Sequence, residues 1–172
     1  MDPQELLELH EKTREGLTRT VGLTMAVVAA FLAVVTLMGH RLHTEEVVLQ
    51  TKLADQWAYY QAKNTRSQMY ATDAQLALLQ GAQGRAIAAT WDEKARQERE
   101  QADEIRRGNE DMDRETQATA RRATLFDNAE IFLEIAIVLC SVTLLTGTRI
   151  FWIVSFVGTT VGVVLAGLAF LR

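Results

Sequence analysis

Three long apolar stretches constrain the fold of this 172-residue chain more than any other feature. The first lies between Arg19 and Arg41, and its uncharged centre runs from Val21 to Met38. At about 1.5 Å of rise per residue, a helix of this length crosses the hydrocarbon core of a bilayer. The sequence therefore predicts a transmembrane helix over residues 20–40.

Two further apolar stretches fill the C-terminal part of the chain. One contains a single acid, Glu134, near its start, and the other, residues 150–171, carries no charge. Only Thr146–Arg149 separates them, which leaves room for no more than a tight turn. We predict transmembrane helices over residues 128–148 and 149–172, joined as a helical hairpin in the membrane.

Composition and motifs exclude several classes of protein. A single cysteine, Cys140, can form neither an intramolecular disulfide nor a cysteine-based zinc site. A formal charge of −4 argues against a nucleic-acid binder, which is usually basic. The sequence lacks a phosphate-binding loop, a dinucleotide fingerprint, a nucleophile elbow and a His-Glu-x-x-His string. We therefore expect no enzyme, no cofactor and no nucleic-acid partner.

The segment between the first and second spans, residues 41–127, is polar and free of proline. It consists mostly of residues that favour helices. Its obvious break is Gln80–Gly84, where two glycines favour a turn between stretches of nearly equal length. We predict an antiparallel, coiled-coil-like helical hairpin with its turn near residues 80–85.

The second arm of this hairpin carries a heptad seam, in which spacings of four and three residues alternate. Most seam residues are small or polar, so the seam suits close packing of the arms or a bundle of several subunits. The alternative is a solvated helix in which alanines recur by chance. The seam comprises Trp91, Ala95, Glu98, Ala102, Ile105, Asn109, Met112, Thr116, Thr119, Ala123 and Phe126.

Residues 1–19 predict a short amphipathic helix. Asp2, Pro3 and Glu5 suit the N-cap, the first turn and the third helical position. This helix lies on the membrane surface or extends the first span. The fold class predicted is an all-α membrane protein, with three transmembrane helices and a long helical hairpin between the first and second.

The string DQWAYYQAK, Asp55–Lys63, is the most distinctive in the sequence. It follows an apolar N-terminal span and precedes a charged helical stretch and a hydrophobic C-terminal pair. In this order the chain resembles a bacterial family, the "domain of unknown function" family numbered 4337, over nearly its whole length. The resemblance implies a bacterial inner-membrane protein with no assigned activity, and it implies no catalytic residues.

Four aromatic residues of the first arm are candidates for an interaction surface: Trp57, Tyr59, Tyr60 and Tyr70. Trp57 and Tyr60 are three residues apart and share a helix face. Tryptophan and tyrosine are favoured anchors of protein interfaces. The alternative is that these rings pack within the hairpin.

Glu130 and Glu134 share a face near the start of the second span and form a candidate ion site. A carboxylate inside a bilayer is costly, so it needs a partner or water. In an oligomer these acids would form a ring at a pore mouth. The alternatives are a hydrogen bond to a neighbouring helix, or a carboxylate that reaches water at the membrane interface.

His40, His43 and Glu46 are weak candidates for a metal site because their spacing of three places them on one helix face. Polar residues are also expected there, where the first helix leaves the membrane. No metal is therefore predicted.

Small residues at four-residue spacing favour close packing of membrane helices and a homo-oligomer. They occur in the first and third spans, at Gly22, Ala26, Ala30, Gly158, Gly162 and Ala166.

These features predict a non-enzymatic structural protein of the bacterial inner membrane, either a homo-oligomeric scaffold or an accessory subunit of a membrane complex. The alternatives are a small oligomeric cation channel or transporter with Glu130 and Glu134 near the pore mouth, and a membrane sensor whose hairpin docks a partner protein. The expected partners are the lipid bilayer, further copies of the chain and other membrane proteins.

The orientation of the hairpin is predicted from the Lys and Arg residues near the spans. Six of them lie on the hairpin side and four on the other side, which slightly favours a cytoplasmic hairpin. The residues that flank the first span alone favour the opposite orientation.

Overall fold

The computed structural model describes the backbone of residues 3–171 and the side chains of residues 14–171. Over that range the chain is all α, with three long helices and no strand. Helix α1 spans Pro3–Leu78, α2 spans Gly84–Thr146 and α3 spans Arg149–Leu171. The all-α class is confirmed, and α1 packs against α2. The N-cap predicted at Asp2 lies outside the described residues, whereas the segment from Pro3 onward continues into the first apolar stretch as one helix.

The chain divides into two compact units. The three-helix unit comprises residues 1–44 and 119–172, and the hairpin unit comprises residues 45–118.

The turn of the hairpin unit lies between Leu78 and Gly84, at residues 79–83. Three successive amides donate to the carbonyls of residues 76, 77 and 78, at 3.1, 3.0 and 3.2 Å. Gly81 has a φ of 74°, a conformation that side chains disfavour. A Cβ atom on Gly84 would lie 1.8 Å from the carbonyl oxygen of Ala77, so only glycine allows α2 to begin this close to α1.

The seam predicted from heptad spacing faces the inside of the fold, since each of its residues is buried or half-buried. In the hairpin unit the buried positions are mainly alanines, which allow the two arms to approach closely. Four buried residues of this unit are polar, namely Lys63, Ser67, Asn109 and Thr116. Asn109 is 2% exposed, and its Nδ2 finds no hydrogen-bond partner within the described residues. A buried asparagine at such a position favours one register over alternatives that bury only apolar side chains.

The core of the three-helix unit combines larger and smaller apolar side chains. Val28 and Val35 of α1 meet Phe126 and Leu133 of α2, and α3 adds buried alanines. A second turn, at Gly147 with a φ of 71°, joins α2 to α3.

Each helix contains a window that is long and apolar enough to cross a membrane, by length and composition. Helices α1 and α2 are far longer than one span, so only part of each has this character. The chain itself buries 17%, 28% and 22% of the three windows, which leaves most of their apolar surface facing outward.

Candidate functional site

The outer surface of the three-helix unit is apolar. Large hydrophobic side chains are exposed on α1, α2 and α3, among them Leu23, Phe31, Ile135, Val138 and Val157. A soluble monomer rarely exposes so much contiguous apolar surface. The surface is therefore compatible with contact to lipid or to other helices.

Polar side chains inside this unit join the helices to one another. Thr36 Oγ1 of α1 donates to Glu130 Oε1 of α2 at 2.8 Å. Cys140 Sγ donates to Ser155 Oγ of α3 at 3.3 Å. Trp152 Nε1 donates to Thr24 Oγ1 at 3.4 Å. Each of these hydrogen bonds therefore joins polar groups of two different helices within the three-helix unit.

The two candidate ion-site acids have different surroundings. Glu130 is half-buried and accepts the hydrogen bond from Thr36. Glu134 is exposed on α2, and within residues 14–171 no hydrogen bond or ion pair engages its carboxylate. The structure therefore links Glu130 to α1 and leaves Glu134 on the outer surface.

The two sets of small residues also differ. A Cβ atom on Gly162 would lie 2.9 Å from Leu133 Cγ and 3.0 Å from the carbonyl oxygen of Ala129. A Cβ atom on Gly158 would lie 3.2 Å from the carbonyl oxygen of Phe132. Ala166 is buried. The set on α3 therefore packs against α2 within the chain.

The set on α1 faces outward. Ala26 and Ala30 are exposed, and a Cβ atom on Gly22 would meet nothing within 4 Å. This face of α1 is therefore not packed against α2 or α3 in the described chain.

The histidine candidates take part in other contacts. His43 Nε2 lies 3.0 and 3.1 Å from the two carboxylate oxygens of Asp127 on α2. Glu46 accepts a hydrogen bond from Gln50 at 2.9 Å, and His40 is exposed. Among the side chains that the structure describes, no three His, Cys, Asp or Glu residues are grouped to hold a metal ion.

The candidate aromatic residues form ring contacts within the hairpin unit. Trp57 and Tyr60 meet edge to face, with ring centroids 5.5 Å apart. Tyr70 lies 5.2 Å from Trp91 of the opposite arm. Tyr59 is the most exposed of the four candidates, at 49%. The rings thus contribute to packing in the hairpin, and Tyr59 also offers an outward surface.

A buried ion pair joins the two arms and was not predicted. Lys63 Nζ lies 3.1 Å from Glu98 Oε2 and donates to Gln101 Oε1 at 2.6 Å. Ser67 Oγ donates to the carbonyl oxygen of Ala95 at 2.9 Å. Glu98 was recognised as a seam residue, but the spacing on one arm does not reveal which residue of the other arm faces it.

The end of the hairpin unit next to the turn, called here the tip, exposes large aliphatic side chains. Leu79 is 82% exposed, and Leu76, Leu78 and Ile87 are each about half exposed. Arg85 is the only charged residue between Asp73 and Asp92. The tip was not predicted, although this nearly uncharged run within a charged segment is a signal that indicates it.

The sequence model of one protein family, described as "Domain of unknown function (DUF4337)", matches residues 17–172. The match confirms the family resemblance predicted from the sequence. Neither a curated protein nor a solved structure matches the chain.

Proposed function

We propose that this chain, which belongs to the DUF4337 family, is a non-enzymatic, membrane-anchored interaction protein that works as a homo-oligomeric scaffold. Its three apolar stretches would anchor it in a bacterial inner membrane. The hairpin unit would be the part that meets other proteins.

The observation that carries this proposal is the apolar tip of the hairpin unit. Its leucines lie in a segment that sequence analysis assigns to the aqueous side of the membrane, yet the chain does not cover them. Exposed apolar patches of this kind are typical of surfaces that bind a partner.

Membrane anchoring is supported by the outward apolar surface of the three-helix unit. Such a surface can contact lipid chains without loss of hydrogen bonds. Polar side chains of the unit are paired between helices, Thr36 with Glu130 and Cys140 with Ser155. Pairing of this kind is what an apolar solvent requires, because an unsatisfied polar group costs several kcal/mol there.

Native mass spectrometry of the complex extracted gently from membranes tests the scaffold. A mass that is an integer multiple of this chain would support self-assembly. A mass that includes other polypeptides would point to the accessory-subunit form of the proposal. A monomer without any other polypeptide would overturn it.

Ion flux through proteoliposomes tests the scaffold against a cation channel. Glu130 is engaged by Thr36, so the scaffold predicts no selective cation leak. A leak that Glu134→Gln abolishes would overturn the scaffold in favour of the channel.

A further inference from the structure

The carboxylate of Glu134 occupies an unusual place on the outer face of α2. Its neighbours on that face, Ile131, Ile135 and Val138, are 52%, 48% and 60% exposed. Glu134 lies seven residues beyond Asp127, or about 10 Å further along the helix. Lipid chains offer no hydrogen-bond donor, and carboxylates in membrane helices almost always face other helices or water. A polar group from another helix would meet this requirement.

The surface beside Glu134, where α1 and α2 of the three-helix unit meet, is called here the α1–α2 groove. Thr36 of α1 donates to Glu130, and Ser141 of α2 lies 3.9 Å from Met25 Sδ, so these residues mark the side of α1 that faces α2. Since successive residues of a helix are about 100° apart around its axis, the flank of that side can be read from the sequence. This flank includes four small residues that are not buried, which are Gly22, Ala26, Ala29 and Ala33. Small side chains let a further helix approach closely.

The occupant of this groove must bring a donor to the depth of Glu134. Copies inserted in the same orientation are related by an axis along the membrane normal, so equivalent depths meet at their interface. Gly158 of α3 approaches Phe132, and Gly162 approaches Leu133. Residues midway between these glycines therefore lie within one turn of the level of Glu134.

Thr160 is the donor found at that level. It lies between Gly158 and Gly162, and its side chain is exposed on the outer face of α3. Between Ile150 and Leu171 it is the one exposed side chain with a hydroxyl or a charge. Its hydroxyl donates to the carbonyl oxygen of Phe156 at 2.8 Å and can turn to a stronger, charged acceptor.

We propose, on the basis of the self-association in the proposed function, that α3 of one copy lies in the α1–α2 groove of the next. The partner's Thr160 donates to the Glu134 carboxylate. Because the two surfaces differ, the contact is heterologous, and its repetition closes a ring of subunits.

Disulfide cross-linking of the full chain in native membranes tests the contact. The background is Cys140→Ala, which removes the one native thiol. In that background the pair Glu134→Cys and Thr160→Cys is expected to yield a ladder of cross-linked oligomers on mild oxidation. The matched control replaces Thr160→Cys by Ile153→Cys, which lies two turns away on the same outer face and is expected to yield only monomer.

Three results would overturn the contact. The first is a ladder of equal strength in the control pair. The second is a dimer from Glu134→Cys alone, which would indicate that the same face of two copies meets itself. The third is the absence of a ladder in the test pair while circular dichroism shows that its helices have formed.

The isosteric change Thr160→Val supplies an independent readout. Loss of one hydrogen bond between membrane helices is expected to raise the dissociation constant of the oligomer by about three- to tenfold. An unchanged constant would contradict the assigned donor. If native mass spectrometry shows a wild-type homo-oligomer but the cysteine pair gives no cross-link, the proposed interface is wrong and the scaffold stands. If the wild type gives only monomers without other polypeptides, both proposals fail.

Discussion

Replacing Gly84 by alanine is expected to open the turn of the hairpin unit. The new Cβ atom would lie 1.8 Å from the carbonyl oxygen of Ala77, 2.8 Å from its carbonyl carbon and 3.1 Å from Gln80 Cβ. The first two atoms belong to the backbone, so no rotation of a side chain relieves the overlap. The end of α1 and the start of α2 must move apart, and the turn hydrogen bond from Gln80 to Ala77 is lost with them.

The cost should reach the upper end of the range for an overpacked site, about 3 kcal/mol. Hydrogen–deuterium exchange of the full chain in detergent or lipid discs measures it directly. Amides of residues 76–90 are expected to exchange about 100-fold faster than in the wild type, since each 1.4 kcal/mol corresponds to a factor of ten.

Two other glycines of the hairpin unit provide matched controls with different outcomes. At Gly81, alanine meets nothing within 4 Å but must adopt a positive φ, so about 1–2 kcal/mol is expected. At Gly108, inside α2, alanine also meets nothing and should stabilise the helix by about 0.4–1 kcal/mol. Wild-type exchange at the turn of Gly84→Ala would refute the close approach of the two helices.

Three further changes test the contacts between helices. Lys63→Met removes the nearer cation of Glu98 and leaves only Arg66, whose Nη1 lies 4.0 Å from Oε1. It should destabilise the hairpin unit by up to about 3 kcal/mol in exchange measurements, whereas Lys63→Met with Glu98→Leu should recover most of that loss. Gly162→Ala places a methyl group against Leu133 and Ala129 and should lower the stability of the three-helix unit by about 1–3 kcal/mol in a denaturation assay in micelles. Gly167→Ala is the control, because its methyl group meets nothing within 4 Å and should leave the stability unchanged. Arg122→Gln removes the donor to the carbonyl oxygen of Ala169 in the last turn of α3, so faster exchange there, equivalent to about 1 kcal/mol, is expected; unchanged exchange would show that this cap contributes nothing.

Much of the helical architecture is predictable because local features specify it. The three apolar stretches each fall within one helix, and the glycines at 81 and 84 coincide with the break between α1 and α2. The heptad spacing on α2 likewise indicates which residues face inward. These signals depend on residues close in sequence, and a single sequence contains them.

The pairing between helices is not predictable in the same way. The spacing on α2 marks Glu98 as inward-facing, but its partner Lys63 follows from the height at which the two arms meet. That height depends on how closely Ala77 and Gly84 approach at the turn. Likewise, the small residues of α1 and α3 have the same spacing, and only the packing shows that those of α3 contact α2.

The aromatic residues illustrate a third limit. Tyr70 and Trp91 are distant in sequence, and their ring contact within the hairpin unit could not be distinguished from a docking surface by spacing alone. The apolar tip, by contrast, is predictable from the nearly uncharged run of sequence between Asp73 and Asp92, which stands out within a charged segment.

The contacts between α1 and α2 have a consequence for the order in which the chain folds. Ser67 and Ala95 are 28 residues apart, Lys63 and Gln101 are 38 apart, and Thr36 and Glu130 are 94 apart. A direct encounter of the last pair would close a long loop, with its larger loss of chain entropy. Pairing that begins at the turn and advances outward needs only short closures, and such local contacts favour fast folding. The kinetic nucleus is therefore expected beside the two glycines of the turn, far along the sequence from the most hydrophobic stretches.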